Sequence, residues 1–379
     1  MRRIERELVR DAISLRQNLH QNPYPSNAEG PTAERIVDWL EERDVNVIAR
    51  NLGGGHGFLT QVGNGSKRIL LRADMDALPT LEKPNTSCSW ISGNIGAHHG
   101  CGHDGHSAAL ALGLASMRVP DDVTVYGIFQ AAEETGEGAK QALRDDRLSE
   151  LRINCGVFGS HNIPGEPLGE VLVVEGLTAT ASSGFCLSVK GIRGHSSRSN
   201  TRDTPIPIVC QTALEALKRS NDRTRCAVVG LESDSVNHGV SPERSSLHLT
   251  FRSSSMSLVE EAIEHVEQYA RSLAKMQSPN LELNSHLIEP FSETVSRCEM
   301  CEHVRNAAQA ANLSMRNLET NFPWSEDCGL LLDHWSCGGC FFGIGAGMDV
   351  PNLHEETYDW PDDLTEKLAS VWIALPLVV

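Results

Sequence analysis

Within seven residues, Gly100-Cys101-Gly102-His103-Asp104-Gly105-His106 sets a thiol, two imidazoles and a carboxylate among three glycines and a tight backbone. These side chains are good ligands for a borderline-soft divalent cation, and glycine lets the backbone wrap close around an ion. Three further groups offer the same chemistry elsewhere: Asp74 with Asp76, the adjacent Glu133 and Glu134, and the separate histidines His161 and His354. A divalent metal pair needs about four to six N, O and S donors, including an anionic bridge that offsets two close positive charges. Neighbouring glutamates suit a division of labour. Side chains leaving an extended backbone point apart, so one can ligate while the other faces a metal-bound water as general base. Each group alone has an ordinary reading: a strand cap, a solvated loop, a small buried thiol or a structural histidine. Together, at strand ends, they favour a metal site.

The elements that position these residues follow from hydrophobic spacing. Residues 4–19 repeat Ile4, Leu8, Ala12, Leu15 and Leu19, and 32–43 repeat Ala33, Ile36, Val37 and Leu40, both at helical period. A buried-type strand over 68–73 runs into Asp74-Met75-Asp76, a helix follows over 107–117, and a strand over 123–130 runs into Glu133-Glu134. Further strands are predicted at 157–161 and 170–174. Strands alternating with helices predict an α/β layer with its site at one strand edge. From about Ala179 the pattern changes. Strands at 185–189, 226–231, 246–252 and 281–287, with helices at 205–219 and 257–276, give the β-α-β-β-α-β order of a ferredoxin-like insert. A helix (297–311), an apolar strand (340–344) and a final helix (362–374) complete the reading.

At 379 residues the chain is too long for one ordinary core, so two domains are expected. A net charge of −17 argues against nucleic acid or an anionic membrane as partner and for a small molecule. Met1-Arg2-Arg3 leads into no apolar segment, which predicts no secretory leader, and the apolar run 368–379 is too short to span a bilayer. With eleven cysteines, the expectation is a cytoplasmic protein with free thiols. Cys298-x-x-Cys301 and Cys337-x-x-Cys340 look superficially like a zinc ribbon. Their separation and their predicted helix and strand settings favour packed thiols.

Leu71 to Pro79, Cys101 to His106, Phe129 to Glu134 and Leu353-His354 together resemble the M20 metallopeptidase family. The nearest branch is the amidohydrolases of hippurate, N-acetyl and indole-acetyl amino acids. His20 to Pro23, Gly191 to His195, Ser325-Glu326-Asp327 and the glycine-rich 339–347 add to the resemblance, which runs through nearly the whole chain. It implies an α/β fold: a mixed-sheet, metal-binding catalytic domain with helices on both faces over 1–179 and 292–379. A ferredoxin-like α+β lid over 180–291 would interrupt it and carry a homodimer interface. It also implies two divalent metal ions, Mn, Zn, Co or Ni. Cys101 would bridge them, with His103 and His161 on one and Glu134 and His354 on the other. Glu133 would be the general base, and Asp76 a carboxylate that orients a ligand. In the lid, His195 would contact the tetrahedral oxyanion across the dimer, and Arg252 would hold the substrate carboxylate.

The chain departs from the family in ways that bear on substrate. His98-His99-Gly100 replaces a Met-His-Ala lead, which adds a histidine beside the metals. Gly239 stands where the lid has a substrate-binding Asn, with Asn237 and His238 close by, and His195 continues into Ser196-Ser197-Arg198-Ser199. The expected activity is hydrolysis of an N-acyl amino acid or related small amide. The alternatives are an aryl-amine aminohydrolase, a dipeptidase, a non-catalytic binding protein, or catalysis by a Cys101 nucleophile.

Overall fold

The computed structural model describes residues 4–84, 90–197, 202–234 and 236–379. Met1–Arg3 and the Arg198-Ser199 part of the lid motif lie outside them. The first elements are α1 (Arg6–Gln21), α2 (Gly30–Glu41), β1 (Asn46–Ala49), β2 (Phe58–Gly63), β3 (Lys67–Asp74), α3 (His103–Ser116) and β4 (Val123–Gln130). Next come α4 (Gly138–Ala142), α5 (Asp146–Ser149), β5 (Val157–Pro164), β6 (Val171–Val173) and β7 (Gly176–Ala179). They are followed by β8 (Ala181–Lys190), β9 (Gly194–His195), α6 (Ile206–Arg219), β10 (Thr224–Ser233), β11 (Val240–Ser241), β12 (Arg244–Ser253), α7 (Met256–Gln277) and β13 (Glu282–Phe291). The remainder are β14 (Thr294–Ser296), α8 (Cys298–Ala310), β15 (Met315–Asn317), α9 (Cys328–His334), β16 (Gly339–Gly347) and α10 (Asp362–Ala374).

Two compact units result. One comprises Met1–Ala179, Thr294–Phe322 and Glu326–Val379; the other is Thr180–Glu293 with Pro323–Ser325. The first unit holds an eight-stranded mixed sheet in the order β1-β2-β4-β3-β5-β16-β6-β15. Its centre, where β3 pairs in parallel with β4 and β5, is buried on both faces, and the strands there read as continuous apolar runs. Strand alternation sorts the layers. Ile69, Leu71 and Ala73 pack into the core shared with α1, α2, α3, α8 and α10, while Leu70 and Arg72 face the opposite way. On that other side Cys328 of α9 lies against β5 at Gly159.

Helix α3 is packed so closely that its first glycine has no room for a side chain. A Cβ at Gly105 would lie 1.9 Å from the Trp360 ring. Gly105→Ala is therefore expected to destabilise the fold by about 3 kcal/mol, at the upper end of typical overpacking costs. Urea unfolding measures this, and an unchanged midpoint would contradict the packing of α3 against Trp360.

The second unit is an antiparallel sheet in the order β10-β12-β8-β13, its Phe185, Leu187, Leu249 and Phe251 packed under α6 and α7. This is the ferredoxin-like arrangement, with an added β9–β11 ribbon. Pro323–Ser325 clusters with this unit, and Ser325 Oγ accepts from Arg252 Nη1 at 2.9 Å. The short β1, the three-residue exposed β15, the β7–β14 ribbon and α9 carry too little periodicity to be read from sequence.

Candidate metal centre

Parallel β3, β4 and β5 point their C-terminal ends to one edge of the sheet, where α/β folds build sites. Asp74 is the last residue of β3, and Asp76 follows two residues later. Cys101 stands just before α3, whose first residue is His103. Gly102 makes that turn at φ 88°, and a Cβ there would crowd Asn162 Nδ2 at 2.8 Å. His161 lies on β5 beside Gly343 of β16.

The two glutamates sit differently from the sequence expectation. They occupy a turn rather than extended backbone, because Ala132 adopts a left-handed φ of 55° immediately after β4. Glu29 holds that turn by accepting the Ala132 N–H at 2.7 Å, and Gly136 N donates to Glu133 O at 2.8 Å. His354 also has a positive φ, of 66°, and its N–H donates to Gly100 O at 2.8 Å, tying its loop to that of Cys101.

These elements bring six of the singled-out side chains together. The ligand atoms of Cys101, His103 and His161 all lie within 4.8 Å of one another, and so do those of Cys101, Glu134 and His354. Cys101 is common to both triads. Its Sγ is 3.4 Å from His161 Nε2, and His354 Nε2 is 3.7 Å from Glu134 Oε1. Glu133 Oε2 lies 3.9 Å from His103 Nε2, beside the two triads that share the thiol.

The other ring nitrogens are already engaged. His103 Nδ1 faces Asp76 O at 3.0 Å and Oδ1 at 3.1 Å, and His161 Nδ1 faces Asn162 O at 3.0 Å. This fixes each ring with its Nε2 toward the cluster, as metal-binding histidines are usually held. Asp76 Oδ2 also accepts from Glu134 N at 3.0 Å and Ser26 Oγ at 2.7 Å, so one carboxylate braces two members of the set.

Buried His103 Nε2 and Glu134 Oε1 have no hydrogen-bond partner, which is costly unless a cation takes that place. The electrostatics agree. Burial, then Glu134, Glu133 and Asp74, drive the Cys101 thiol well above its usual range. Burial and Asp76 push Glu134 up to about 7 against the pull of His103. His103 loses charge to burial but regains it from Asp74, Asp76 and Glu134, ending at about 10. So many acidic groups around one thiol favour positive charge, and the N, O and S donors fit a divalent metal.

Asp76→Ala should weaken divalent-metal affinity roughly 10–100-fold, since His103 and the Glu134 backbone lose their common brace. Competition against a chelating dye reads this; wild-type affinity in the variant would contradict it.

Among the supporting residues, Glu29 and Ser26 gave no sequence signal, whereas Arg72 and His106 lie in strings already singled out. Arg72, fully buried, binds Asp74 at 2.7 Å, Glu326 at 2.9 Å and Asp327 at 3.0 Å. His106 lies between Asp74 Oδ1 and Asn162 Oδ1, each at 2.6 Å. Glu29 and Ser26 act from the start of the chain. The CxxC thiols take separate partners: Cys301 and Cys340 pack at 3.6 Å, Cys337 faces Ile153 O at 3.6 Å, and Cys298 is exposed.

His195 and Arg252 belong to the second unit. His195 is exposed on β9, its Nδ1 accepting from Ser197 Oγ at 2.8 Å. Arg252 borders a cavity of about 540 Å³ that Arg225, its cross-strand neighbour, also lines. No helix among the described residues is long and apolar enough to cross a membrane.

The model of peptidase family M20/M25/M40 matches residues 70–377. The hippurate hydrolase of Campylobacter jejuni is 27% identical over 374 residues, spanning 96% of this chain and 95% of that protein. An N-acetylcysteine deacetylase of Bacillus subtilis is 30% identical over 271 residues, 69% of this chain and 70% of that one. Among solved structures, the Bacillus subtilis YXEP protein, described as a dinuclear metal-binding peptidase from the M20 family, shares the fold. Its TM-score is 0.78 over 99% of each chain, at 21% identity.

Proposed function

This chain belongs to peptidase family M20/M25/M40, and from that premise we propose that it hydrolyses the amide bond of an N-acyl amino acid. Metal-dependent amide hydrolysis is the activity common to its relatives; the acyl-amino-acid substrate and the residue roles are our reading. The observation that carries it is the pair of donor triads sharing Cys101, with Glu133 alongside. Cys101, His103 and His161 would hold one divalent ion, and Cys101, Glu134 and His354 the other. Manganese, zinc, cobalt and nickel all suit such donors. Bound there, the ions supply Lewis acidity toward an amide carbonyl and a lowered pKa for water.

The chain's own groups do the rest. Glu133 takes the proton of the attacking water on its carboxylate and delivers it to the leaving nitrogen. Burial, then Glu326 and Glu134, raise Glu133 well above the usual carboxylate range in the metal-free chain, and the charge of bound cations would oppose that rise and leave the carboxylate free to act as base. Asp76 keeps His103 and Glu134 in place. The second unit would serve as the lid, His195 reaching the oxyanion from a partner copy and Arg252 gripping the substrate carboxylate. A homodimer through that unit follows from the same reading. Free cysteines throughout the described residues support a cytoplasmic setting.

A dipeptidase would need a carboxylate for the substrate's free amine. The nearby Glu326 and Asp327 are buried against Arg72, which speaks against that alternative. Chromatography of free amino acid released from benzoyl, acetyl and indole-acetyl amino acids, with esters of the same compounds as controls, tests the reading. The acids should be cleaved and the esters much less so. Turnover of none of the acids would remove the proposal.

A further inference from the structure

His98, the histidine that replaces the family's methionine, has no place in the site described above. It lies instead against His20, from the last turn of α1, and Glu82. Ligand atoms of these three side chains lie within 4.8 Å of one another. His20 Nε2 is 3.1 Å from Glu82 Oε1, and His98 Nε2 is 3.9 Å from the same oxygen. Donors held around 2.0–2.2 Å from a tetrahedral ion are about 3.4 Å apart, so these separations bracket the spacing a small cation requires. The side chains of His20, His98 and Glu82 are 0%, 1% and 3% exposed, respectively.

The surroundings are arranged as they are around a ligated metal. His20 Nδ1 is fixed by Asp104 Oδ2 at 2.9 Å, which turns Nε2 toward Glu82, as a carboxylate orients a metal-binding histidine. Ser92 N donates to the second Glu82 oxygen at 2.5 Å, fixing the carboxylate. His98 Nε2 donates to the Tyr358 carbonyl at 2.9 Å, so this ring proton has to leave before the nitrogen can bind a cation. Arg16 brings a positive charge to within 3.7 Å of Asp104, but its guanidinium is also shared with Asp359 and Asp362. Beside the cluster, buried polar atoms stand without partners: Asp104 Oδ1, His98 Nδ1 and both ring nitrogens of His99.

We propose that His20, Glu82 and His98 form a separate binding site for a first-row divalent cation of the zinc type, sharing no ligand with the Cys101 centre. Two imidazoles and one carboxylate are a zinc-type donor set. The ion would pin the end of α1 to the segment leading into the Cys101 loop, and binding would release ring protons to solvent.

The test uses the full chain and zinc alone. Wild type, His98→Met and Glu82→Gln are stripped, saturated with zinc, freed of excess and analysed for zinc per chain, with circular dichroism as the check on folding. Each variant should hold one equivalent less than wild type. In a Cys101→Ala background, where the central pair is weakened, one equivalent should remain and should disappear when His98→Met is added. Cobalt bound in that background should show ligand-field bands without thiolate charge transfer. Equal zinc content in wild type and both variants overturns the site, and points to His20 serving only as an ion-paired histidine between Asp104 and Glu82. That outcome leaves the Cys101 centre untouched, because its ligands are different residues.

Discussion

Glu133→Ala is expected to lower kcat for amide hydrolysis by about 10²–10⁴-fold, the usual worth of a positioned general base. Bound metal should stay at the wild-type level. The two halves of this result follow from one feature, that Glu133 borders both Cys101-sharing triads without being needed in either. Removing it deletes the group that moves the proton and leaves the donors Cys101, His103, Glu134, His161 and His354 in place. It also removes one buried carboxylate from beside Glu134 and Glu326, so the folded state should not lose stability. KM should change little, because the carboxylate acts on the attacking water rather than on the bound substrate. Glu133→Gln keeps the shape and removes the basicity, and should match the alanine variant. Loss of metal in either variant would show that Glu133 is a ligand and that its role has been misassigned.

Cys101→Ala should have a different signature. The thiol is 6% exposed and is common to both donor triads, so its loss leaves each triad with two protein donors. Metal affinity should fall by more than the roughly 10–100-fold typical of losing a partner behind the ligands. Turnover should fall with the metal. The metal-free protein should be almost indifferent to the change, since its buried thiol sits among Glu134, Glu133 and Asp74 with its pKa driven well up and is therefore neutral. The rise in melting temperature on adding metal, large in wild type, should shrink or vanish in the variant. Calorimetry with and without metal measures both states. A full metal-induced rise in Cys101→Ala would exclude the thiol as a shared ligand.

Most donor types were legible in the sequence: Asp74–Asp76 and Glu133–Glu134 follow apolar strands, and Cys101 and His103 sit in an unusual glycine-rich string at the start of α3. The order of the main strands and helices, including the ferredoxin-like insert, was legible from the apolar runs of β3 and β4 and the helical period of α6 and α7. What joins the strings was not legible. His354 reaches Glu134 through loop backbone in a left-handed conformation, and nothing in a linear pattern encodes the Gly100–His354 hydrogen bond. The bend at Ala132 is similar. An alanine gives no hint of a left-handed φ, and the Glu29 carboxylate that holds it comes from a distant helix start. Arg72 reads in sequence as one polar residue interrupting an apolar strand. Only the fold shows it neutralising Asp74, Glu326 and Asp327 beneath the site. Local chemistry was therefore readable, while the bracing that depends on tertiary contacts was not.

The central claim is that amide hydrolysis by this chain depends on divalent metal held by the cluster around Cys101. It is tested most directly by stripping the wild-type protein with a chelator, removing the chelator, and following hydrolysis of an N-acyl amino acid as a divalent metal is added back. The account expects no turnover in the stripped protein, and recovery of the full rate as metal is restored. A stripped protein that hydrolyses the amide at the undiminished rate would contradict it.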